Sequence, residues 1–134
     1  VLDYSYHKGI QTLVKDLNKM YVKHPALFQH DFDNQGFEWI DCHDVEQSII
    51  SFTRKTEEET LIVILNFTPI PRENYRIGVP RAGTYHEIFN SDSEYYAGSN
   101  SGNGYIVSED TPWMNQDQSV NLTIPPLAGI VLKL

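Results

Sequence analysis

Thr60-Leu61-Ile62-Val63-Ile64-Leu65-Asn66-Phe67 (60–67) is the stretch that decides the fold. Its five central residues are apolar without alternation, the pattern of a central strand covered on both faces. Val120, Leu122 and Ile124 instead alternate with polar neighbours, as in a strand with one face toward solvent. Outward from 60–67 the chain reads as further short strands at 37–43, 47–55, 74–79, 83–89, 104–108, 119–124 and 128–134. Turn chemistry separates them: Asp33-Asn34-Gln35-Gly36, Pro69-Ile70-Pro71, Pro80-Arg81-Ala82-Gly83 and Pro125-Pro126. So many short strands predict a mainly β protein built as an antiparallel sandwich.

One segment breaks this pattern. Within 7–23, Ile10, Leu13, Val14, Leu17, Met20 and Tyr21 recur at helical spacing, with Lys15, Asp16, Asn18 and Lys19 opposite. The spacing predicts an amphipathic helix that stops near His24, because Pro25 disfavours helical geometry in the residue before it. A second irregularity is Asn90-Ser91-Asp92-Ser93-Glu94-Tyr95-Tyr96-Ala97-Gly98-Ser99-Asn100-Ser101-Gly102-Asn103-Gly104, one long polar loop between strands.

The 134 residues are about the size of one domain. Ten Lys and Arg against eighteen Asp and Glu give a net charge of −8, the wrong sign for tracking a phosphate backbone, so nucleic acid is not an expected partner. Residues 1–30 carry four Lys and two Asp, hence +2, which leaves −10 spread over the remainder as on a solvated surface. No run approaches the ~18–20 apolar residues that span a bilayer, so no membrane partner is expected. The opening VLDYSYHKG has no signal-peptide layout, and the single Cys42 cannot form an intrachain disulfide; a reducing, cytoplasmic setting follows. The sequons at Asn66 and Asn121 read as strand residues.

Motifs of metal and phosphate chemistry fall short. Asp31-Phe32-Asp33-Asn34-Gln35-Gly36 imitates the start of a calcium loop, but Cys42 occupies the twelfth position where a bidentate Glu is required. His86-Glu87 is followed by Asn90 where a zinc-protease helix needs its second His, and the segment reads as a strand. The glycine-rich 98–104 lacks the Lys of a phosphate loop and the Ser of a nucleophile elbow. His7, His24, His30, His43 and His86 are scattered, and no pair among the eighteen carboxylates stands out for glycoside chemistry. No metal, cofactor or catalytic residue is therefore assigned. Aromatic residues are the better lead: Phe37-Glu38-Trp39 and Trp113 lie beside loops, and Tyr95, Tyr96 and Tyr105 flank the long loop. A flat ring is what a sugar face stacks on, although a Trp in a small β-domain commonly plugs the core.

Five stretches in fixed order carry a resemblance: LDYSYHKGIQTLVKDLNKMYVKHPAL (2–27), DFDNQGFEWID (31–41), NFTPIPRENYRIGVP (66–80), NSDSEYYAGSNSGNG (90–104) and LTIPPLAGIVL (122–132). Together they resemble the C-terminal part of bacterial 1,4-α-glucan (glycogen) branching enzymes, members of the α-amylase superfamily. In that family a (β/α)8 barrel performs the chemistry and a β-sandwich follows it. The resemblance implies that residues 1–27 are the terminal helix of the barrel and residues 28–134 the sandwich domain. It implies a reaction that cleaves an α-1,4 glucan through a covalent glycosyl-enzyme and transfers the chain to a 6-hydroxyl. The family's Asp nucleophile and Glu acid/base stand on barrel strands, so none of these 134 residues inherits a catalytic role. Trp39 alone is carried over, as a glucan contact on the sandwich side of the cleft, while Phe37 and Ile40 are expected to be packing residues.

The resulting expectation is an accessory domain that buttresses the upstream barrel of the same polypeptide, helps set glucan chain preference and is inactive alone. Its alternatives are a stand-alone carbohydrate-binding module, which needs its own platform of coplanar aromatics, and the C-terminal domain of a debranching or trehalose-releasing hydrolase. Without a barrel to cover it, the stripe on 7–23 is expected to pair with a second copy as an isologous dimer, rather than fold onto the sandwich or fray.

Overall fold

The computed structural model describes residues 4–30, 35–44 and 48–134, and only the backbone of 42–44. Asp31 to Asn34 of the calcium-like turn, and the Cys42 and His43 side chains, lie outside the described residues. Among the described residues eight strands follow one α-helix: α1 (Ser5–Lys23), then β1 (Phe37–Asp44), β2 (Ile49–Lys55), β3 (Thr60–Asn66), β4 (Arg72–Val79), β5 (Thr84–Asn90), β6 (Tyr105–Val107), β7 (Gln118–Ile124) and β8 (Gly129–Lys133). All eight expected strands are present, and Asn66 and Asn121 are strand residues.

Six strands form one sheet in the order β1-β2-β3-β8-β5-β6, and β4 pairs with β7 in a second, two-stranded sheet. Every pairing is antiparallel. The run 61–65 is covered on both faces for a visible reason. Ile62 and Ile64 face inward with Tyr85, Ile130 and Leu132 against Ile77, Val79, Val120 and Leu122 of the small sheet. Leu61 and Val63 face outward, where Ala26, Leu27 and Met20 pack over them together with Val131, Ile88 and Phe89. The sandwich thus has an inner core between sheets and a second, outer core beneath the N-terminal segment.

Helix α1 ends as the sequence requires: the His24 N–H closes on the Met20 carbonyl at 3.0 Å, and Pro25 opens a 3-10 turn over Pro25–Leu27. Its seat on the sandwich differs from expectation. The docking face runs along Gly9, Asp16 and Met20, while Ile10 stays 57% exposed and Val14, Leu17 and Tyr21 are exposed beside it. Gly9 makes this possible, because a Cβ there would lie 2.7 Å from the Tyr96 carbonyl carbon and oxygen. Asp16 accepts the Tyr96 hydroxyl at 2.6 Å. Burial, and then the hydrogen bond and charge of Asp16, push the Tyr96 phenol up to about 12. The helix therefore has a place on its own sandwich, reached through a partly polar face to which Met20 of the stripe also turns, while Ile10, Val14, Leu17 and Tyr21 are left open.

The loop 90–104 is ordered by its own polar groups. Asp92 accepts from the Ser99 N–H (3.1 Å), the Ser99 hydroxyl (2.5 Å) and the Ser101 N–H (3.0 Å), and a 3-10 turn over Glu94–Tyr96 sends Tyr96 under α1. Asn103 extends the sheet with side-chain bonds, donating to the Thr123 carbonyl at 2.8 Å and accepting its N–H at 2.7 Å.

Candidate functional site

Trp39 sits on β1, one edge of the large sheet, and is 50% exposed. Parity explains its direction: Ile40 enters the inner core, so its neighbour Trp39 faces outward. The register places Trp39 opposite Phe52 and Phe37 opposite Arg54. The three rings form a cluster in which Phe37 lies against Phe52 at 5.0 Å and 29°, and the indole stands edge-on to both, at 5.0 Å and 89° from Phe37 and 5.9 Å and 81° from Phe52. Edge-on packing fixes the indole while leaving a face available. Ile40 and Phe37 are packing residues, and Trp39 is not a core plug. β1 carries register shifts between Trp39 and Asp41 and between Asp41 and Asp44, so the strand bends just past the indole.

Around this edge the polar groups serve structure. Lys55 pairs with Glu38 at 2.9 Å across the β1–β2 ladder, and the Arg54 guanidinium donates to the Leu27 carbonyl at 2.9 Å, tying the segment after α1 to β2. On the other side of that segment, His24 hydrogen-bonds Glu59 through Nδ1 and Oε1, and the Ala26 N–H donates to Glu59 Oε2 at 3.1 Å. Lys133 Nζ stands 3.6 Å from the same carboxylate. Burial alone raises the Glu59 pKa, but His24, the Ala26 amide and Lys133 outweigh it and hold the carboxyl below its ordinary range. The clamp fixes where the chain leaves α1 and lines a groove of about 540 Å³ with Lys23, Gln29 and His30.

Among the described residues no group of three or more His, Cys, Asp and Glu is placed to hold a metal ion. His86-Glu87 lies in β5, a strand, and Glu87 accepts the Asn103 N–H at 3.0 Å and its side-chain amide at 2.9 Å. Trp113, 47% exposed, lies beyond β6 in the segment that precedes β7, and the structure does not bring it to Trp39. Sequence reading missed the His24–Glu59 clamp and the Asp16–Tyr96 bond. Thr56, whose hydroxyl accepts from the Glu58 and Glu59 N–H groups at 3.3 and 3.2 Å, is the one local signal that positions Glu59. Among the described residues no helix is long and apolar enough to cross a membrane.

The geometry of an edge-strand indole on a two-sheet sandwich can be set against known proteins. The family described as "Alpha amylase, C-terminal all-beta domain" matches residues 39–134. Over 100% of this chain, a 1,4-alpha-glucan branching enzyme GlgB of Cellvibrio japonicus is 57% identical and that of Nitrosococcus oceani 54% identical. A third, from Methylococcus capsulatus, is 54% identical over 98% of the chain. In each, the matched part is 18% of the relative, so this chain spans under a fifth of the length of those proteins. Among solved structures, an alpha-amylase from H. orenii shares the fold with a TM-score of 0.50 and 20% identity, over 85% of this chain and 18% of that one.

Proposed function

Because this chain belongs to the family of alpha-amylase C-terminal all-beta domains, we propose that it works as the non-catalytic C-terminal part of a 1,4-α-glucan branching enzyme. Chemistry resides upstream of these residues. There an α-1,4 glucan is cleaved and its chain moved to a 6-hydroxyl, through carboxyl groups that stand on a barrel. The observation that carries the reading is the open apolar stripe of α1: Ile10, Val14, Leu17 and Tyr21 are exposed although the helix is docked on the sandwich by another face. Burial of each such side chain is worth about 1.5–3 kcal/mol, a drive that a neighbouring structure satisfies. In this reading residues 1–27 are the last helix of the upstream barrel, 28–134 are the sandwich, and the stripe is the seam between that helix and the rest of the barrel. In the absence of the barrel, the stripe pairs with a second copy. An independent carbohydrate-binding module has no use for such a stripe.

Trp39 is then the glucan contact of the sandwich, an indole held edge-on by Phe37 and Phe52 with half its surface free. A lone Cys42 fits a cytoplasmic setting. The test has two arms. The isolated chain, incubated with amylose, leaves iodine absorbance and reducing ends unchanged; turnover abolished by a substitution within 1–134 would sink the reading. In the protein extended by the segment its relatives carry ahead of it, Trp39→Ala weakens glucan engagement by about 1–3 kcal/mol, by analogy with ring stacking on bases. Normal glucan kinetics with reduced thermal stability would instead make Trp39 a packing residue.

A further inference from the structure

The outward face of the large sheet carries a continuous row, Phe37–Arg54–Leu61–Lys133–His86–Tyr105, each residue opposite the next in register. One end of the row is the Trp39 cluster on β1. The other end, on β6, is a second aromatic arrangement of a different kind. His86 and Tyr105 stack with ring centroids 4.3 Å apart and planes within 10°. Tyr105 is 72% exposed, because β6 is the last strand of the sheet among the described residues. The imidazole backs one face of the phenol, so the ring is held parallel to its support with its other face toward solvent.

Beside this stack, between the 90–104 loop and β5, lies a groove of about 420 Å³. Gly104, the residue before Tyr105, and Tyr95, 77% exposed, both line it. Gly104 has φ +74° and open space where a Cβ would stand, so the chain turns into β6 without walling the groove. The polar groups lining it are amides and one carboxylate. Asn100 commits its oxygen to the Glu94 N–H at 3.3 Å, which leaves its two amide hydrogens to donate. Glu87 uses Oε2 for Asn103, which leaves Oε1 to accept. Among the described residues that line it there is no Lys or Arg, and the charged group is the Glu87 carboxylate. Such a site disfavours phosphate and other anions. Exposed rings, amide donors and a carboxylate acceptor suit a neutral ligand that offers C–H faces and adjacent hydroxyls.

We propose that the Tyr105–His86 stack and the groove to Tyr95 form a second glucan-binding platform, on the sheet edge opposite Trp39. The inference rests on the reading that the protein handles α-glucan, and it extends that reading to a site which does not share a residue with the first. Five strand spacings of roughly 4.8 Å separate β1 from β6, about 24 Å, so the two platforms are independent contacts.

Maltoheptaose titrated into the chain, with the ring and backbone resonances followed by NMR, tests it. Two groups of signals are expected to move, one around Trp39 and one comprising Tyr105, His86 and Tyr95. Tyr105→Ala weakens the second response by about three- to tenfold and leaves the first in place. Tyr105→Phe keeps both, since the ring face rather than the hydroxyl makes the contact. Should Tyr105→Ala disturb the β5–β6 pairing, Tyr95→Ala, on a solvent-facing ring, is expected to weaken the same response. An unchanged response there overturns the platform. Shifts confined to Trp39 overturn the second platform and leave the glucan reading standing, whereas shifts at neither place overturn both. Inorganic phosphate is expected to leave the Tyr105 group unmoved, and a response to it in place of maltoheptaose overturns the assignment of a neutral ligand.

Discussion

Replacement of Gly9 by alanine sets two effects of opposite sign against each other. Gly9 lies in the first half of α1, where an exposed glycine costs about 1 kcal/mol relative to alanine, so propensity alone predicts that Gly9→Ala stabilises the helix by about that amount. The seat of the helix predicts the reverse. The new Cβ would lie 2.7 Å from both the carbonyl carbon and the oxygen of Tyr96, and 3.2 Å from the Ala97 Cβ. Backbone cannot swing aside as a side-chain tip can, so α1 must lift from the loop. Lifting breaks the 2.6 Å bond from the Tyr96 hydroxyl to Asp16, a bond to a charged group worth about 1.5–3 kcal/mol. Set against the propensity gain, docking is expected to weaken by about 0.5–2 kcal/mol while the inner core, which α1 does not touch, is unaffected. Hydrogen exchange separates the two: amides over 5–23 lose protection, those of β3 and β8 keep theirs. A Gly9→Ala variant whose helix is better protected by about 1 kcal/mol, with the Tyr96–Asp16 bond intact, would refute the reasoning.

Other expectations are more direct. Tyr96 has a folded pKa of about 12 against an ordinary 10, so the contribution of its neutral phenol is complete below pH 10 and is lost as pH rises through about 12. Tyrosinate absorbance followed with helix content should show two late-titrating tyrosines, Tyr96, whose ionisation releases α1, and Tyr85, whose burial in the inner core also raises its pKa; all eight ionising together, with the helix still docked, would contradict this. Asn66→Ala strips the Ile70 and Pro125 carbonyls of a donor at 3.0 and 3.1 Å and should cost about 1–3 kcal/mol in denaturant unfolding. Ile64→Ala empties the inner core and should cost about 2–5 kcal/mol, whereas Ile10→Ser on the open stripe should stay within about 0.5 kcal/mol for the monomer. Light scattering across a concentration series, with Leu17→Glu as the disruptive variant, checks whether the stripe pairs: a strict monomer at high concentration would contradict pairing.

The strands are legible in sequence because each obeys a local rule. The unbroken apolar run at 61–65 reports two buried faces, and the alternation at 120–124 reports one. Pro25 marks the end of α1 for a steric reason that needs no tertiary contact. The outward turn of Trp39 is also within reach, since Ile40 beside it is apolar and takes the core. What escapes is whatever joins distant positions. The apolar stripe is the obvious face of α1, yet the helix docks along Gly9 and Asp16 because Tyr96, 80 residues after Asp16, presents a hydroxyl there. Likewise the His86–Tyr105 stack depends on the β5–β6 register, which the long loop between them sets, and 35 residues separate His24 from Glu59. None of these pairs leaves a periodic trace.

The sheet order has a consequence for how the chain reaches this state. β8 is the eighth strand made, yet it lies between β3 and β5, so it alone joins the β1-β2-β3 half of the sheet to the β5-β6 half. During synthesis both β3 and β5 wait with an open edge, and β3 is the most apolar strand of the molecule. Closure of the sheet spans sequence separations of 64 to 72 between register partners such as Leu65 with Gly129 and Leu61 with Lys133, a loop-closure cost that local pairing cannot reduce. Folding is then expected to be slow for the size of the chain, with a single step that waits for β8. A ribosome pause or a truncation just before Gly129 leaves two half-sheets exposed to each other's copies in neighbouring molecules, and aggregation becomes the competing reaction.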